Sequence, residues 1–257
     1  MIIILRAERY EKIIQLVRDR GIVSVSEFCN ELNASKATIR RDLNELHAKG
    51  FLKKTHGGAM VMSTPTTEEL PIEVRRLMRK DEKSRIADLA LEYIKEDSSI
   101  FLDSGTTTFE IAEKLSTYQN LTILTNDINI AYEVSQNTQN NVIVAGGKLK
   151  KHSATLMGMF TEQMISQIHV DTAFISVDAV EMKHGFMDYN TDEIPIKREM
   201  IQNSRQSIVV CDHSKFQNAA FMTICPINDI NLTITGRELD DLYVKKFEEA
   251  GFVVKLA

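Results

Sequence analysis

The sequence predicts an α/β protein in two parts, a small helical head with a β ribbon and a larger body around a mostly parallel sheet. Two observations carry this prediction. In the first 60 residues, apolar positions recur with helical spacing and then give way to short alternating strands. From Ser99 onward, short apolar runs alternate with helical patterns, which is the order that right-handed βαβ units produce.

The composition is that of a globular protein. The chain has 257 residues, of which 43% are hydrophobic and 26% are charged. No apolar run approaches the roughly 18 residues of a transmembrane helix, and the segment Met1–Leu5 lacks the flanks of a signal peptide. Cys29, Cys211 and Cys225 share no spacing typical of a disulfide framework or a zinc site. We therefore expect a cytoplasmic protein with no membrane contact, no cofactor and no bound metal.

Charge is distributed unevenly along the chain, whose net charge is −5. Through Met60 there are 11 basic and 7 acidic residues, whereas the remainder holds 20 basic and 29 acidic residues. A basic head on an acidic body suits contact with nucleic acid through the head, because phosphate contacts supply most non-specific affinity. An ordinary solvated surface gives a similar count, so this observation alone does not decide the function.

Three short helices are predicted in the head. Ser24 and Ser35 are suited to cap the second and third helices. Gly21 and Gly50 follow the first and third helices, as is typical of helix C-termini. The predicted buried faces are Tyr10, Ile13, Ile14 and Val17 in the first helix, Val25, Phe28, Cys29 and Leu32 in the second, and Ile39, Leu43 and Leu46 in the third.

A two-stranded ribbon is predicted after the third helix, over residues 51–55 and 59–62, with a turn at Gly57 and Gly58. The polar stretch from Ser63 to Pro71 contains two prolines and marks a boundary. We therefore divide the chain into a head over residues 1–62, a linker over residues 63–79 and a body over residues 80–257.

Seven strands are predicted in the body, separated mostly by helices. They are Ile100–Leu102, Leu121–Leu124, Val142–Ala145, Thr172–Val177, Ile208–Cys211, Leu232–Thr235 and Phe252–Leu256. In such sheets, ligands bind beyond the carboxyl ends of the strands, where the strand order reverses. The residues at the strand ends are therefore the first candidates for a binding site.

The third helix of the head is predicted to have one polar face. Arg41 and Asn44 lie opposite its apolar residues and are flanked by Thr38 and Arg40. Such a helix can enter the major groove of DNA, where Arg reads guanine and Asn reads adenine through paired hydrogen bonds. The alternative is a three-helix cap with an ordinary polar surface, which would show the same periodicity, so periodicity alone does not decide between the two. The ribbon residues expected to reach a neighbouring phosphate or the minor groove are Lys53, Lys54 and His56.

Four segments of the head resemble the DNA-binding domain of DeoR-type repressors of sugar metabolism. They are Glu8–Ile14, Gly21–Phe28, Ser35–Leu46 and His56–Ala59. The resemblance implies a winged helix-turn-helix domain that binds an operator in double-stranded DNA. The residues that it implies face DNA are Ser35, Lys36, Thr38, Arg40 and Arg41.

The segment Asp103–Thr108 follows a predicted strand and opens a helix. Backbone N–H groups at a helix start, together with the hydroxyls of one serine and three threonines, can bind phosphate. No lysine follows Gly105 at the spacing of a Walker A loop. Serine and threonine also cap many helices, and that simpler role is the alternative.

Other polar residues follow the predicted strands, and each alone is typical of a turn. They are Thr125, Asn126, Gly146, Gly147, Asp178, Asp212 and Lys215. Because several of them fall around one predicted sheet edge, they indicate a binding site.

The body, from about Lys80 to Ala257, resembles the sensor domain of the same DeoR-type family, whose fold is similar to ribose-5-phosphate isomerase. The matching segments are Asp103–Thr108, Leu124–Asn126, Gly146–Gly147, Asp171–Phe174, Asp178, Gly185 and Asp212–Phe216. The resemblance implies a sugar-phosphate effector. The phosphate contacts that it implies are Ser104, Gly105, Thr106, Thr107 and Thr108. The sugar contacts that it implies lie near Asp178, Glu193, Lys197 and Lys215, with Asp178-Ala179-Val180 replacing the family's usual Asp-Gly-Ile/Val.

These features predict a repressor of a sugar-utilisation operon that a phosphorylated sugar releases from DNA. The alternative is a sugar-phosphate isomerase fused to a DNA-binding head, with Asp178 as the base. The acidic cluster of the isomerase is reduced here to Asp178, so we expect no enzyme and no catalytic residue. A structural DNA-organising protein would have no use for a phosphate site. Two heads read two half-sites with more specificity than one, so we expect a homodimer or homotetramer.

Overall fold

The computed structural model describes residues 6–48, 51–60, 72–136, 139–151, 153–217 and 219–257. The chain divides into two compact units, Met1–Met78 and Arg79–Ala257. Among the described residues, no helix is both long enough and apolar enough to cross a membrane.

The described part of the first unit contains helices and a small sheet. Its elements are α1 (Arg6–Arg20), β1 (Ile22–Ser24), α2 (Val25–Leu32), α3 (Lys36–Ala48), β2 (Lys53–Lys54), β3 (Gly58–Met60) and α4 (Ile72–Leu77). The predicted caps are confirmed. Ser24 Oγ accepts the Glu27 N–H at 3.3 Å and Glu27 Oε2 accepts the Ser24 N–H at 2.7 Å, which is a capping box. The predicted apolar faces form the core of the unit, except that Val25 and Cys29 are only half-buried.

The predicted ribbon is confirmed as the antiparallel pair β2–β3, and the unpredicted strand β1 extends it to a three-stranded antiparallel sheet, the wing. The strand order is β1-β3-β2. Ile22 of β1 and Lys53 of β2 both pair with Met60 of β3. Strand β1 has three residues, which are too few to show alternation in the sequence. Val61 and Met62, predicted to continue the ribbon, lie outside the described residues.

Helix α4 lies inside the segment that the sequence predicts to be a linker. Its Ile72 is buried, and Met78 just beyond it packs into the core of the first unit. The first unit therefore includes this helix. The polar part of the predicted linker, within residues 61–71, lies outside the described residues.

The second unit alternates strands and helices. Its elements are α5 (Lys80–Leu91), β4 (Ser99–Leu102), α6 (Thr106–Lys114), β5 (Thr122–Thr125), α7 (Ile128–Ser135), β6 (Asn141–Val144), β7 (Lys148–Leu149), β8 (Leu156–Met157), α8 (Met159–Ile165), β9 (Val170–Ile175), β10 (Ala179–Glu181), β11 (Gly185–Asp188), α9 (Ile194–Gln202), β12 (Ser204–Val210), β13 (Met222–Cys225), β14 (Leu232–Thr235), α10 (Asp241–Glu249) and β15 (Val254–Leu256). The mixed α/β fold class predicted from the sequence is confirmed.

One parallel sheet contains all seven strands that the sequence predicted in the body. Its order is β15-β14-β12-β9-β4-β5-β6, and every neighbouring pair is parallel. From β4 the chain moves outward through β5 to β6, and it then returns to the other side of β4 with β9. The strand order therefore reverses beside β4, which is where ligands bind in open parallel sheets.

Two apolar clusters cover the two faces of this sheet. One contains Ile86 of α5, Ile111 of α6 and Ile130 of α7, and the other contains Met200 of α9 and Phe247 of α10. Five further strands were not predicted. Strands β7 and β8 form a hairpin, and β10, β11 and β13 form a small antiparallel sheet. Each has two to four residues, so periodicity could not reveal it.

Candidate functional site

Helix α3 presents a polar face opposite its buried residues, as the sequence predicts. Ile39, Leu43 and Leu46 are fully buried. On the opposite side, the exposed residues are Lys36, Arg40, Arg41 and Asn44. Ser35 and Thr38 act at the start of the helix, where Ser35 Oγ accepts the Thr38 N–H at 3.1 Å and lies 2.9 Å from Thr38 Oγ1.

A buried ion pair fixes α3 to α1. Asp42 on α3 is 1% exposed, and Arg9 on α1 contacts both of its carboxylate oxygens, with Nε 2.5 Å from Oδ2 and Nη2 3.2 Å from Oδ1. Tyr10 donates its hydroxyl to Glu45 Oε2 at 2.7 Å, one turn further along α3. These contacts hold the polar face of α3 in one orientation on the first unit.

The wing adds positive charge beside α3. Lys53, Lys54 and His56 are exposed, and Lys54 Nζ donates to Asn44 Oδ1 at 2.5 Å. The wing and the polar face of α3 therefore form one surface of the first unit. We call it the α3–wing surface, and it consists of Lys36, Arg40, Arg41, Asn44, Lys53, Lys54 and His56.

The polar residues predicted at the strand ends lie at one edge of the parallel sheet. Their strands β4, β5, β6, β9 and β12 are parallel neighbours, so the carboxyl ends of these strands share that edge. The edge carries the segment after each strand, which comprises residues 103–108, 126–127, 145–147, 176–178 and 211–215. The strand order therefore places these segments along one edge of the sheet, as the sequence predicts.

Ser104 is held in a buried network between β4 and β5. Its N–H donates to Asn126 Oδ1 at 3.2 Å, and its hydroxyl donates to Asp127 Oδ2 at 2.7 Å. Thr155 Oγ1 lies 2.6 Å from the same hydroxyl. Asp127 also caps α7 by accepting the Ile130 N–H at 3.1 Å. Sequence analysis missed Asp127 and Thr155, because only the fold brings the residue before α7 to the loop after β4.

Gly105 precedes α6 and is required by close packing. Its φ of 177° is extended backbone, but a Cβ there would overlap the side chain of Ser176 at the end of β9. Thr108 Oγ1 donates back to Gly105 O at 3.0 Å. Among the described residues, no side chain caps the first turn of α6. The start of this helix therefore has the uncapped N–H groups and positive dipole end that bind anions.

Lys197 lies beneath this edge in a buried cluster of charges. Its ammonium group is 2.5 Å from Asp103 Oδ2, 3.4 Å from Asp188 Oδ2 and 2.8 Å from the carbonyl oxygen of Ser176. Asp103 and Ser176 accept hydrogen bonds from two of the three donors of the ammonium group, and the Asp188 carboxylate lies at ion-pair distance. Lys197 is 2% exposed, so the predicted sugar contact at this residue would require the cluster to rearrange.

Asp103 is a member of this cluster that the sequence analysis did not select. Burial raises the pKa of its carboxyl group, and Lys197 opposes that shift. Oδ2 accepts the Ser176 N–H at 2.9 Å, whereas Oδ1 is buried with no hydrogen-bond partner among the described residues. The only sequence signal was its position at the head of the Ser104–Thr108 loop.

The remaining predicted sugar contacts form two further ion pairs. Lys215 Nζ lies 3.1 Å from Asp178 Oδ1, which brings the short helix after β12 to the end of β9. Glu193 accepts hydrogen bonds from Lys150 Nζ at 2.7 Å and Asn190 Nδ2 at 2.8 Å. Asp178 and Glu193 are buried, whereas Lys150 and Lys215 are partly exposed. Solvent therefore reaches both of these lysines at the edge.

Three predicted binding residues have clear structural roles. Asn126 donates its amide to Leu156 O at 3.1 Å and so joins β5 to β8. Gly147 lies so close to Thr161 that a Cβ would overlap the threonine hydroxyl. Gly146 accepts a hydrogen bond from that hydroxyl at 2.9 Å, although its own Cβ position is open.

One group in the described part of the chain has donor atoms close enough for a metal ion. It consists of Glu82, His213 and Glu238, whose ligand atoms lie within 4.8 Å of one another. Glu82 already accepts hydrogen bonds from the N–H of His213 at 2.7 Å and from its ring at 2.9 Å. Arg85 contacts Glu238 at 2.5 Å. These side chains satisfy one another as ion pairs.

Two family models match the chain. The model of the DeoR C terminal sensor domain matches residues 78–237, and that of the DeoR-like helix-turn-helix domain matches residues 9–65. Among curated relatives, the HTH-type transcriptional regulator IolR of Bacillus subtilis (strain 168) is 32% identical over 249 residues, covering 97% of this chain and 98% of its own. The glycerol-3-phosphate regulon repressor of Escherichia coli (strain K12) is 33% identical over 230 residues, or 90% of each chain.

Solved structures show more distant likenesses. Ribose 5-phosphate isomerase from Plasmodium falciparum aligns with a TM-score of 0.38 at 15% identity, covering 56% of this chain and 53% of its own. The sorbitol operon regulator SorC from Klebsiella pneumoniae aligns with a TM-score of 0.37 at 12% identity, covering 81% of this chain and 90% of its own. Neither likeness is close enough to support an argument about function.

Proposed function

Because the chain belongs to the DeoR family of transcriptional regulators, we propose that it represses a sugar-utilisation operon and leaves its operator when a phosphorylated sugar binds to the second unit. Its relatives are named as regulators and repressors, so the chain is a DNA-binding regulator and the isomerase alternative is not supported. A division into head, linker and body is part of this proposal, with α4 assigned to the head instead of the linker.

The α3–wing surface is the proposed DNA contact. Five cationic side chains lie on or beside one helix face, and Asn44 stands among them. Arg41 and Asn44 would contact base edges, while Lys53, Lys54 and His56 would contact phosphates. Ser35 and Thr38 would act at the helix start, where their capping bonds orient the first N–H groups. The orientation of α3 on α1, fixed by the Arg9–Asp42 pair, supports this assignment.

The edge beside β4 is the proposed effector site. The single observation that carries it is the uncapped start of α6 at the point where the strand order reverses. The loop Ser104–Thr108 would bind the phosphate there. Lys215 and Asp178 would bind the sugar hydroxyls, together with Glu193, and the orphaned Oδ1 of Asp103 would accept a further hydroxyl. Asn126, Gly146, Gly147 and Lys197 would shape the site from behind.

Thermal-shift measurements with a panel of pentose and hexose phosphates test this proposal. A ligand that binds only the folded protein at 100 times its Kd stabilises it by about 2.7 kcal/mol. We expect one phosphorylated sugar to raise the Tm and to weaken operator binding, while the same sugar without phosphate and inorganic phosphate alone have smaller effects. If no member of the panel changes either quantity, the proposed effector class is wrong.

A double variant tests the site itself. Thr106→Val with Thr107→Val removes two hydroxyls of the loop while keeping the side-chain shape. It should weaken binding of the sugar phosphate at least roughly tenfold, or about 1.4 kcal/mol. The matched control is Thr117→Val, whose exposed hydroxyl only contacts Lys114 O. Equal affinities in the two variants would place the effector elsewhere.

The proposed repressor acts as a homodimer or homotetramer. One small head makes few base contacts, and two heads on half-sites about one helical turn or a multiple apart gain specificity. The effector would then act by favouring an arrangement of the bodies in which the paired heads no longer match the half-sites. Sizing of the chain alone and on operator DNA tests this part of the proposal.

A further inference from the structure

Large apolar side chains are exposed along the outer edge of the parallel sheet. Strand β6 is the last strand of that sheet and pairs with β5 on one side. The apolar side chains on and beside it have exposed fractions of 40–70%. They are Ile128 and Tyr132 on α7, Val144 on β6, Leu149 on β7, and Met159 and Phe160 on α8. We call this set the β6 edge surface.

Hydrogen bonds connect the elements that carry the β6 edge surface. The Ile128 N–H at the start of α7 donates to Ala154 O, just before β8, at 3.0 Å. On the other side, Thr161 of α8 donates to the Gly146 carbonyl after β6 at 2.9 Å. Strand β8 pairs with β7 and leads directly into α8. The exposed apolar residues therefore belong to one connected region that wraps around the sheet edge.

The apolar area of the β6 edge surface lies at the upper end of the range for a monomer. A fully exposed side chain of this size presents about 150–250 Å², so the six together present roughly 600 Å² of apolar area at their exposed fractions. The largest apolar patch on a typical monomer is about 300–600 Å². A standard protein–protein interface buries about 800 Å² on each partner, of which about 65% is apolar in homodimers, so the apolar area of this surface is sufficient for such an interface.

Charge favours a second copy of the chain as the occupant. After Met60 the chain holds 20 basic and 29 acidic residues, so two bodies repel one another over most orientations. Residues 128–165 contain the whole β6 edge surface and carry only three lysines and two glutamates. Two copies that meet through this segment therefore bring together faces that are nearly neutral. The charged residues that ring this surface, such as Glu133 and Lys148, are of opposite sign.

The geometry of the edge also suits a symmetric partner. A two-fold contact uses the same surface on both copies, so the surface must be self-complementary. An edge strand meets this condition, because two identical edges can align antiparallel and satisfy each other's backbone groups. In the described part of the sheet, β6 has no strand beyond it. Tyr132 of α7 and Phe160 of α8 flank it on the two sides.

We propose that the β6 edge surface is the interface through which a second copy of this chain binds, by two-fold contact of α7, β6 and α8. This inference rests on the proposed function, in which paired heads read paired half-sites. Beyond the proposed function, it identifies the face of the second unit through which two copies pair. The interface core would be Tyr132, Val144 and Phe160, with Met159 and Leu149 at its margin.

Sedimentation velocity of the full chain tests this interface. Phe160→Glu and Tyr132→Glu each place a charge in its centre, and both side chains are too exposed for the change to disturb the folded monomer. The control is Leu242→Glu on α10, an equally drastic change at a side chain that is 57% exposed elsewhere. We expect wild type and Leu242→Glu to keep one assembly mass, and both test variants to fall to half of it with unchanged circular dichroism.

The same variants should bind operator at least roughly tenfold more weakly, because the heads are then no longer paired across this interface. The proposal is overturned if Phe160→Glu and Tyr132→Glu sediment like wild type, if Leu242→Glu dissociates as they do, or if wild type is itself a monomer. These results are separate from effector binding. A dissociated variant whose Tm still rises with the sugar phosphate leaves the effector site intact and confirms only the interface.

Discussion

Lys197 Nζ lies 2.5 Å from Asp103 Oδ2, and the two side chains are 2% and 1% exposed. The lysine belongs to α9 and the aspartate follows β4, so this contact joins a helix to the strand beside which the sheet order reverses. Burial disfavours the charged ammonium group, but Asp103 and Asp188 outweigh it and raise the pKa of Lys197. The ion pair therefore organises the base of the proposed effector site.

Replacing Lys197 by methionine should destabilise the protein by about 3–5 kcal/mol, because it leaves Asp103 and Asp188 buried without a counter-charge. The free energy of unfolding in urea measures this. The control is Lys114→Met, which breaks an ion pair with Asp88 that is largely exposed on the aspartate side and should cost at most about 1 kcal/mol. Equal losses in the two variants would mean that burial of the Lys197 cluster carries no special cost.

Gly105→Ala should destabilise the second unit by about 1–3 kcal/mol through overpacking. The added Cβ would overlap the side chain of Ser176, while the extended φ is open to any residue. Adding Ser176→Gly to the same chain should recover most of the loss. Gly146→Ala is the control, since nothing lies within 4 Å of its Cβ position. A double variant as unstable as Gly105→Ala alone would contradict the packing explanation.

Arg41→Ala should weaken operator binding by about 1–3 kcal/mol and relax the base preference at one position of each half-site. Lys54→Ala should instead weaken binding to every sequence and reduce the slope of log affinity against log salt by about 0.9. Titrations of operator and unrelated DNA at several salt concentrations separate the two effects. If both variants behave alike, α3 does not lie in the major groove as proposed.

The contact between His213 and Glu82 should make stability depend on pH. A hydrogen bond to Glu82 is the main cause that raises the pKa of His213. Burial and the charge of Arg79 lower that pKa, and the charge of Asp212 raises it. The folded-state pKa of His213 therefore lies above its unfolded value of about 6.5. The contact with Glu82 then stabilises the fold fully below that pH. This stabilisation is lost as the pH rises through the folded-state value.

His213→Asn should therefore lower the Tm by more at pH 6 than at pH 8.5, with a loss of roughly 1 kcal/mol at the lower pH after allowance for partial exposure. The control is His184→Asn, whose ring lies 3.8 Å from Glu181 on the surface and whose removal should change the Tm little, because both side chains are exposed. A His213→Asn effect that is the same at both pH values would argue against a charged imidazole in this contact.

Much of the fold follows from local signals in the sequence. The caps at Ser24 and Ser35 and the buried face of α3 depend on residues within one or two turns of each other, so spacing alone predicts them. The seven strands of the parallel sheet are also visible, because buried parallel strands are short continuous apolar runs. Their parallel direction follows from the helices between them, which places the polar residues after each strand at one edge.

The sequence by itself determined the two-part organisation, the polar face of α3 with Arg41 and Asn44, and the Ser104–Thr108 loop before α6. The tertiary structure decided which of these side chains meet. Asp103 and Lys197 are 94 positions apart but form an ion pair, and Ile22 of β1 pairs with Met60 of β3 in the wing. Such contacts depend on the path of the whole chain and on the burial it creates. No periodicity records that path, because periodicity reports only which face of an element is apolar.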